Sequence, residues 1–153
     1  MKKFWLVAAD SSRARFFEAR GSDFEELEEL ENEEARKYNR ELNTDGPGRM
    51  DDDGTGKSAT AESDRKSQII DEFAGQVAEK LRKARAQGEY DQFSIVAAPK
   101  FLGRLRKKLD NATRQTMLED VGKNVTDHSP EEISSHLSKK LAGPGVTPTK
   151  PPA

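Results

Sequence analysis

The chain has 153 residues, a length that suits one domain with a modest core. With 33% apolar and 35% charged residues, part of it is expected to lie outside any packed core, and no apolar run approaches the roughly 20 residues that span a bilayer. It contains no cysteine, which excludes disulfides, metal thiolates and thiol nucleophiles.

The start, MKKFWLVAADSSRARFFEA, opens like a secretory leader, with two lysines and an apolar run. That run, Phe4–Ala9, is six residues long and meets Asp10, shorter than the roughly 7–15 of a leader's apolar segment. It reads instead as a buried first strand, and the protein as cytosolic. Asp10, Ser11 and Ser12 turn the chain into a second strand over 13–19, and Gly21, Ser22 and Asp23 into a third segment. There Phe24, Leu27 and Leu30 recur every three residues, which fits a helix or an irregular strand. The turn before it favours a strand from 24 to about 30.

From residue 39 to about 63 the pattern vanishes into Gly, Asp, Ser and Thr, so 40–64 is expected to be a flexible loop within the domain. Ile69, Ile70, Phe73, Val77, Ala78, Leu81 and Ala84 then mark one face of a helix over about 64–87, ended by Gly88. YDQFSIVAA (90–98) reads as a buried strand, and Pro99 opens a helix to about Leu109 with Phe101, Leu102, Leu105 and Leu109 inward. Another strand is expected within 116–125. The segment 129–141 begins with a capping box, Ser129 with Glu132, and Pro130 at the first helical position. The Pro/Gly-rich tail from 143 to 153 is expected to be disordered, leaving a domain of residues 1–142. This order predicts an α/β domain with a mixed sheet flanked by helices.

Net charge is only −2, but the charges are segregated. Residues 23–34 carry eight acids and no base, whereas 80–108 carry nine bases against Glu89 and Asp91. Such a dipolar surface steers a polyanion to one side, or its bases neutralise the acidic third segment. The candidate anion- or RNA-binding residues are Arg82, Lys83, Lys100, Arg104, Lys107 and Lys108.

The stretch GTGKS invites a phosphate-loop reading, but that motif needs glycine five positions before Gly56 and Asp51 stands there. Asp51, Asp52 and Asp53 would also place negative charge where phosphate oxygens sit. A calcium-loop register through Gly54 fails, with Arg49 first and Thr60 last. His136 follows Glu132 by four residues on the last helix, a pair that lacks a third metal ligand. No nucleophile arrangement stands out, and no cofactor or metal is implied.

Several segments together resemble the bacterial host attachment protein family. They are FWLVAADSSRARFFEA, LENEEARKYNRELNTDGPGRMDDDGTG, YDQFSIVAAPKFLGRLRKKL and VGKNVTDHSPEEISSHL. The most specific parts are Ala9, Asp10, Ala14 and Arg15; the D-x-P-G-R of 45–49; and the A-P-x-F-L-G-x-L-R of 98–106. The resemblance implies a relation to the middle domain of archaeal and eukaryotic release factors, with an RNase H-like topology and a glycine-rich loop before the first long helix. The candidate loop residues are Asp45, Gly46, Pro47, Gly48, Arg49, Gly54, Gly56 and Lys57. Release factors carry Gly-Gly-Gln in that loop, and this chain has no Gly-Gly-Gln. The resemblance therefore implies a non-catalytic protein working through protein partners in attachment, or alternatively one that binds RNA or the ribosome without hydrolysing peptidyl-tRNA. It implies no membrane insertion and no particular oligomeric state.

Overall fold

The computed structural model describes residues 3–21, 23–44 and 56–138, with backbone alone at 39–44 and 56–63. Five strands form one sheet in the order β3-β2-β1-β4-β5. They are β1 (Phe4–Ala9), β2 (Arg13–Arg20), β3 (Asp23–Glu31), β4 (Gln92–Ala97) and β5 (Met117–Gly122). Two tight connections make β1, β2 and β3 an antiparallel meander, while β4 and β5 join parallel to β1. A single antiparallel strand, β2, in this order is the RNase H-like arrangement that the resemblance implies. Five helices lie among the described residues: α1 (Glu33–Thr44), α2 (Gly56–Ala86), α3 (Pro99–Lys108), α4 (Asn111–Arg114) and α5 (Pro130–Ser134).

The alternation of side chains along β1 splits the apolar residues between two faces. Trp5, Val7 and Ala9 join Phe16, Phe93 and Ile95 beneath α2 and α3, where Phe73, Val77, Leu81, Phe101 and Leu105 close the main core. Leu6 and Ala8 point the other way, with Phe17 and Val96, under Val125, Ile133 and Leu137. The sheet is thus covered on both sides, which is why β1 and β4 read as unbroken apolar runs.

The three-residue spacing in β3 has a structural cause. Phe16 pairs with Glu28 and Phe17 with Glu26, so Leu27 is an extra residue in a β-bulge. The bulge inverts the alternation along the strand. Phe24 therefore packs on the lesser core and Leu30 on the main one.

Four features differ from the sequence-based expectations. Residues 33–44 form α1, which Asn32 starts by accepting the Ala35 N–H at 3.3 Å. Among the side chains described, Ala35 and Tyr38 form its inward face against Ile69 of α2. Helix α2 begins at Gly56 rather than near 64, so both helices extend into the expected loop, of which 45–55 lie outside the described residues. The single turn α4 went unanticipated because four residues carry no period. Helix α5 begins as expected, with Ser129 Oγ accepting the Glu132 N–H, but stops at Ser134 instead of near 141. There the hydroxyls of Ser134 and Ser135 bond back to the carbonyl oxygens of Glu131 and Glu132, a local alternative to continuing the helix. The expected tail of 143–153 lies outside the described residues.

Candidate functional site

Strands β1 and β4 are parallel neighbours, with Ala9 beside Ala97, and the chain leaves their carboxyl ends in opposite directions. After β1 it turns at Asp10 towards β2; after β4 it enters α3 on its way to β5. A crevice forms where connections diverge in this way, and open α/β sheets place ligands there. Here it is a cavity of about 680 Å³ whose walls come from the 10–12 turn, α2 and the start of α3.

The turn is held from two sides. Asp10 Oδ1 accepts the N–H groups of Ser12 and Arg13 at 2.8 and 2.9 Å, so this carboxylate is largely spent on its own backbone. Asn32, only 7% exposed, donates from Nδ2 to the Ser11 carbonyl oxygen and from its N–H to that of Ser12. Nothing in the sequence signalled this role, because Asn32 follows an acidic stretch and its contacts lie 21 residues back along the chain.

The opposite wall is basic. Arg104 donates from Nη1 to Ser67 Oγ and O at 3.0 and 3.2 Å and to Asp71 Oδ1 at 3.3 Å, pinning α3 to α2. Lys66 and Lys100 line the same cavity, and neither has an ion-pair partner among the described residues. Ser11 and Ser12 add hydroxyls, Asp64 a second carboxylate, and Ile70 and Phe101 an apolar floor.

The six candidate bases do not form one face. Lys100 and Arg104 meet in the crevice; Lys108 reaches Asp71 at 3.7 Å; Lys107 is exposed without a partner among the described residues. Arg82 lies sixteen residues beyond Lys66 on α2, about 24 Å along the helix axis. It pairs with Glu79 at 2.6 Å, and that hydrogen bond pushes its guanidinium up and the Glu79 carboxyl down from their ordinary values. Lys83 lines a separate groove of about 600 Å³ between α2 and β3.

The acidic third strand is neutralised in part within the chain. Glu25 pairs with Arg20, Glu26 with Arg15, Glu28 with Lys80 and Glu29 with Arg13. Lys80 also sits over the rings of Trp5 and Phe16, at 5.9 and 5.3 Å, so its stem covers the open flank of the main core.

Of the candidate loop residues, Asp45, Gly46, Pro47, Gly48, Arg49 and Gly54 lie outside the described residues, while Gly56 and Lys57 open α2. Glu132 turns to His128, 3.5 Å away, rather than to His136. No group of three or more metal-ligating side chains occurs among the described residues. No helix among them is long and apolar enough to cross a membrane.

Two solved structures are similar in part. An archaeal translation termination factor, aRF1, is 14% identical with a TM-score of 0.47 over 86% of this chain and 36% of that one. The Ppx/GppA phosphatase of Aquifex aeolicus is 14% identical with a TM-score of 0.38 over 79% and 35%. This chain spans little more than a third of either protein's length. No curated protein sequence gives a significant match. The sequence profile described as "Protein required for attachment to host cells" matches residues 5–137, from β1 through α5. The chain belongs to that family of proteins required for attachment to host cells.

Proposed function

We propose that this chain serves attachment to host cells as a non-catalytic binding module that engages a protein partner through the outer edge of its sheet. The observation that carries this reading is Leu27. It is 38% exposed, the one exposed large apolar side chain among the described residues, and the β-bulge lifts it from an edge strand. Carboxylates surround it at Glu25, Glu26, Glu28 and Glu29. An apolar anchor inside a charged rim is the pattern of a small recognition patch, and its complement is an apolar pocket bordered by Lys and Arg that compete with Arg20, Arg15, Lys80 and Arg13 for these carboxylates. The glycine-rich segment 45–57 takes a supporting role in this reading, on its composition alone.

A strain lacking the gene, complemented with Leu27→Ser or with the double variant Glu26→Gln/Glu29→Gln, tests it. Both substitutions are at exposed positions and are expected to leave the fold intact while lowering attachment several-fold. Wild-type attachment by both folded variants would overturn the reading.

A second reading, binding of RNA or the ribosome, is favoured by Lys100, Arg104 and Lys107 following one another along α3. Backbone phosphate contacts make binding fall by orders of magnitude between about 50 and 200 mM salt. Co-sedimentation with ribosomes that is lost over this range and on Lys107→Glu would favour RNA; none at the lower salt would dismiss it.

A further inference from the structure

The crevice at the ends of β1 and β4 has a use that attachment through the sheet edge leaves unassigned. Its size, about 680 Å³, is that of a small-molecule site. Lys66 and Lys100 bring two ammonium groups to it with no partner among the described residues. Among the described residues Arg104 is anchored through Nη1 alone, leaving Nε and Nη2 without a partner there on a guanidinium that is already held. Ser11 and Ser12 line the same cavity from a turn that Asp10 and Asn32 hold in place. The first turn of α3 starts at Pro99 with no side-chain cap, adding N–H groups at the same end.

Two acids also line the cavity, and they differ. Asp10 Oδ1 already accepts two backbone N–H groups. Asp64 is exposed and has no partner among the described residues. Arg104 is countered by Asp71, so the balance at the cavity rests on Lys66 and Lys100 against Asp64, Asp10 being taken up by the turn's own N–H groups. Fixed donors from three separate elements around a cavity match the oxygens of a phosphoryl group. The geometry points to this crevice as a binding site for a phosphate-bearing small molecule, held through its phosphate by Lys100, Arg104 and the 10–12 turn.

The same phosphate chemistry is found on an RNA backbone, and the experiment separates the two. The full chain, labelled with ¹⁵N, is titrated at constant ionic strength with inorganic phosphate and, separately, with a single-stranded RNA oligonucleotide of twelve uridines. The expected result is saturable phosphate-induced shifts at the amides of Ser11, Ser12, Lys100 and Phe101. Lys100→Gln should weaken the apparent affinity at least fivefold, and Asp64→Asn should tighten it about twofold by removing a like charge. Arg104→Gln also loosens α3 from α2, so Lys100→Gln, whose side chain has no protein partner among the described residues, is the deciding variant. Phosphate shifts that are absent, non-saturating, or unchanged by Lys100→Gln would overturn the assignment. Equally, RNA shifts at these same amides that inorganic phosphate displaces would assign the crevice to a nucleic-acid backbone and overturn the small-molecule ligand. RNA shifts confined to Arg82, Lys83 and Lys107, beside saturable phosphate shifts in the crevice, would uphold it.

Discussion

The hydroxyl of Tyr90 donates to the carbonyl oxygen of Leu81 at 2.9 Å, tying the start of the β4 segment to the last turns of α2. Tyr90 is 3% exposed and packs between Trp5 and Phe93. Burial pushes its hydroxyl above the ordinary tyrosine value. The folded state therefore holds this proton more tightly than the unfolded chain, whose tyrosine titrates at about 10. The contribution is fully present below about pH 10 and is lost as pH rises from there through the folded value. Urea denaturation should show stability level with pH around pH 8, where Tyr90 is not ionising, and falling above pH 10. Tyr90→Phe should lower stability by about 1 kcal/mol at pH 8 and shrink the alkaline loss. An alkaline loss equal to wild type in Tyr90→Phe would show that another group causes it.

Asn32 serves three contacts at once: the turn at Ser11, the Ala35 N–H in the first turn of α1, and the Ile69 carbonyl oxygen at 3.5 Å. Asn32→Ala removes a helix cap and the donor to the part-buried Ser11 carbonyl oxygen, for an expected loss of about 2 kcal/mol. The loss should appear in the urea midpoint, and amide exchange should quicken at Ser12 and Ala35. Exchange unchanged at both amides would mean that the contact does not hold the turn.

Gly88 stands at φ +72°, and a Cβ added there would meet nothing within 4 Å. Its cost to a substitution is therefore conformational rather than steric crowding. Gly88→Ala should destabilise by about 1 kcal/mol and Gly88→Asn by less, since Asn tolerates the left-handed region. Equal losses for the two would contradict this cause.

Deleting Leu27 removes the residue that has no partner in β2 while keeping Phe16 opposite Glu28 and Phe17 opposite Glu26. Phe24 and Leu30 then keep their faces, and stability should stay within about 1 kcal/mol of wild type. The edge becomes regular, however, and regular edges pair with other chains. Analytical ultracentrifugation should detect greater self-association in the deletion variant. A large loss of stability with no self-association would show that the bulge supports the core.

How much of this was legible follows the reach of each interaction. Strands β1 and β4 stand out because each is buried on both faces, so burial alone dictates a run of apolar residues. Helices α2 and α3 announce themselves by long apolar stripes, and Gly88 and Ser129 mark an end and a start through local backbone chemistry. Helix α1 was legible too, since Ala35, Tyr38 and Leu42 recur at i, i+3 and i+7, but its low apolar content and the glycine-rich segment after it made it read as loop. In β3 the bulge turned a strand period of two into an apparent period of three, a change that only pairing with β2 explains.

The site divides in the same way. Residue types and their charge were readable in order along the chain, and so was the family resemblance, since both are properties of the linear sequence. Which bases act together was not. Arg82 and Lys83 look equivalent to Lys100 and Arg104 in the sequence, yet the first pair lies along α2 well away from the strand ends and the second in the crevice. Sheet order decides that, because it brings the ends of β1 and β4 side by side although some ninety residues separate them. Local chemistry determined the elements; only the packing of distant segments decided where their charges converge.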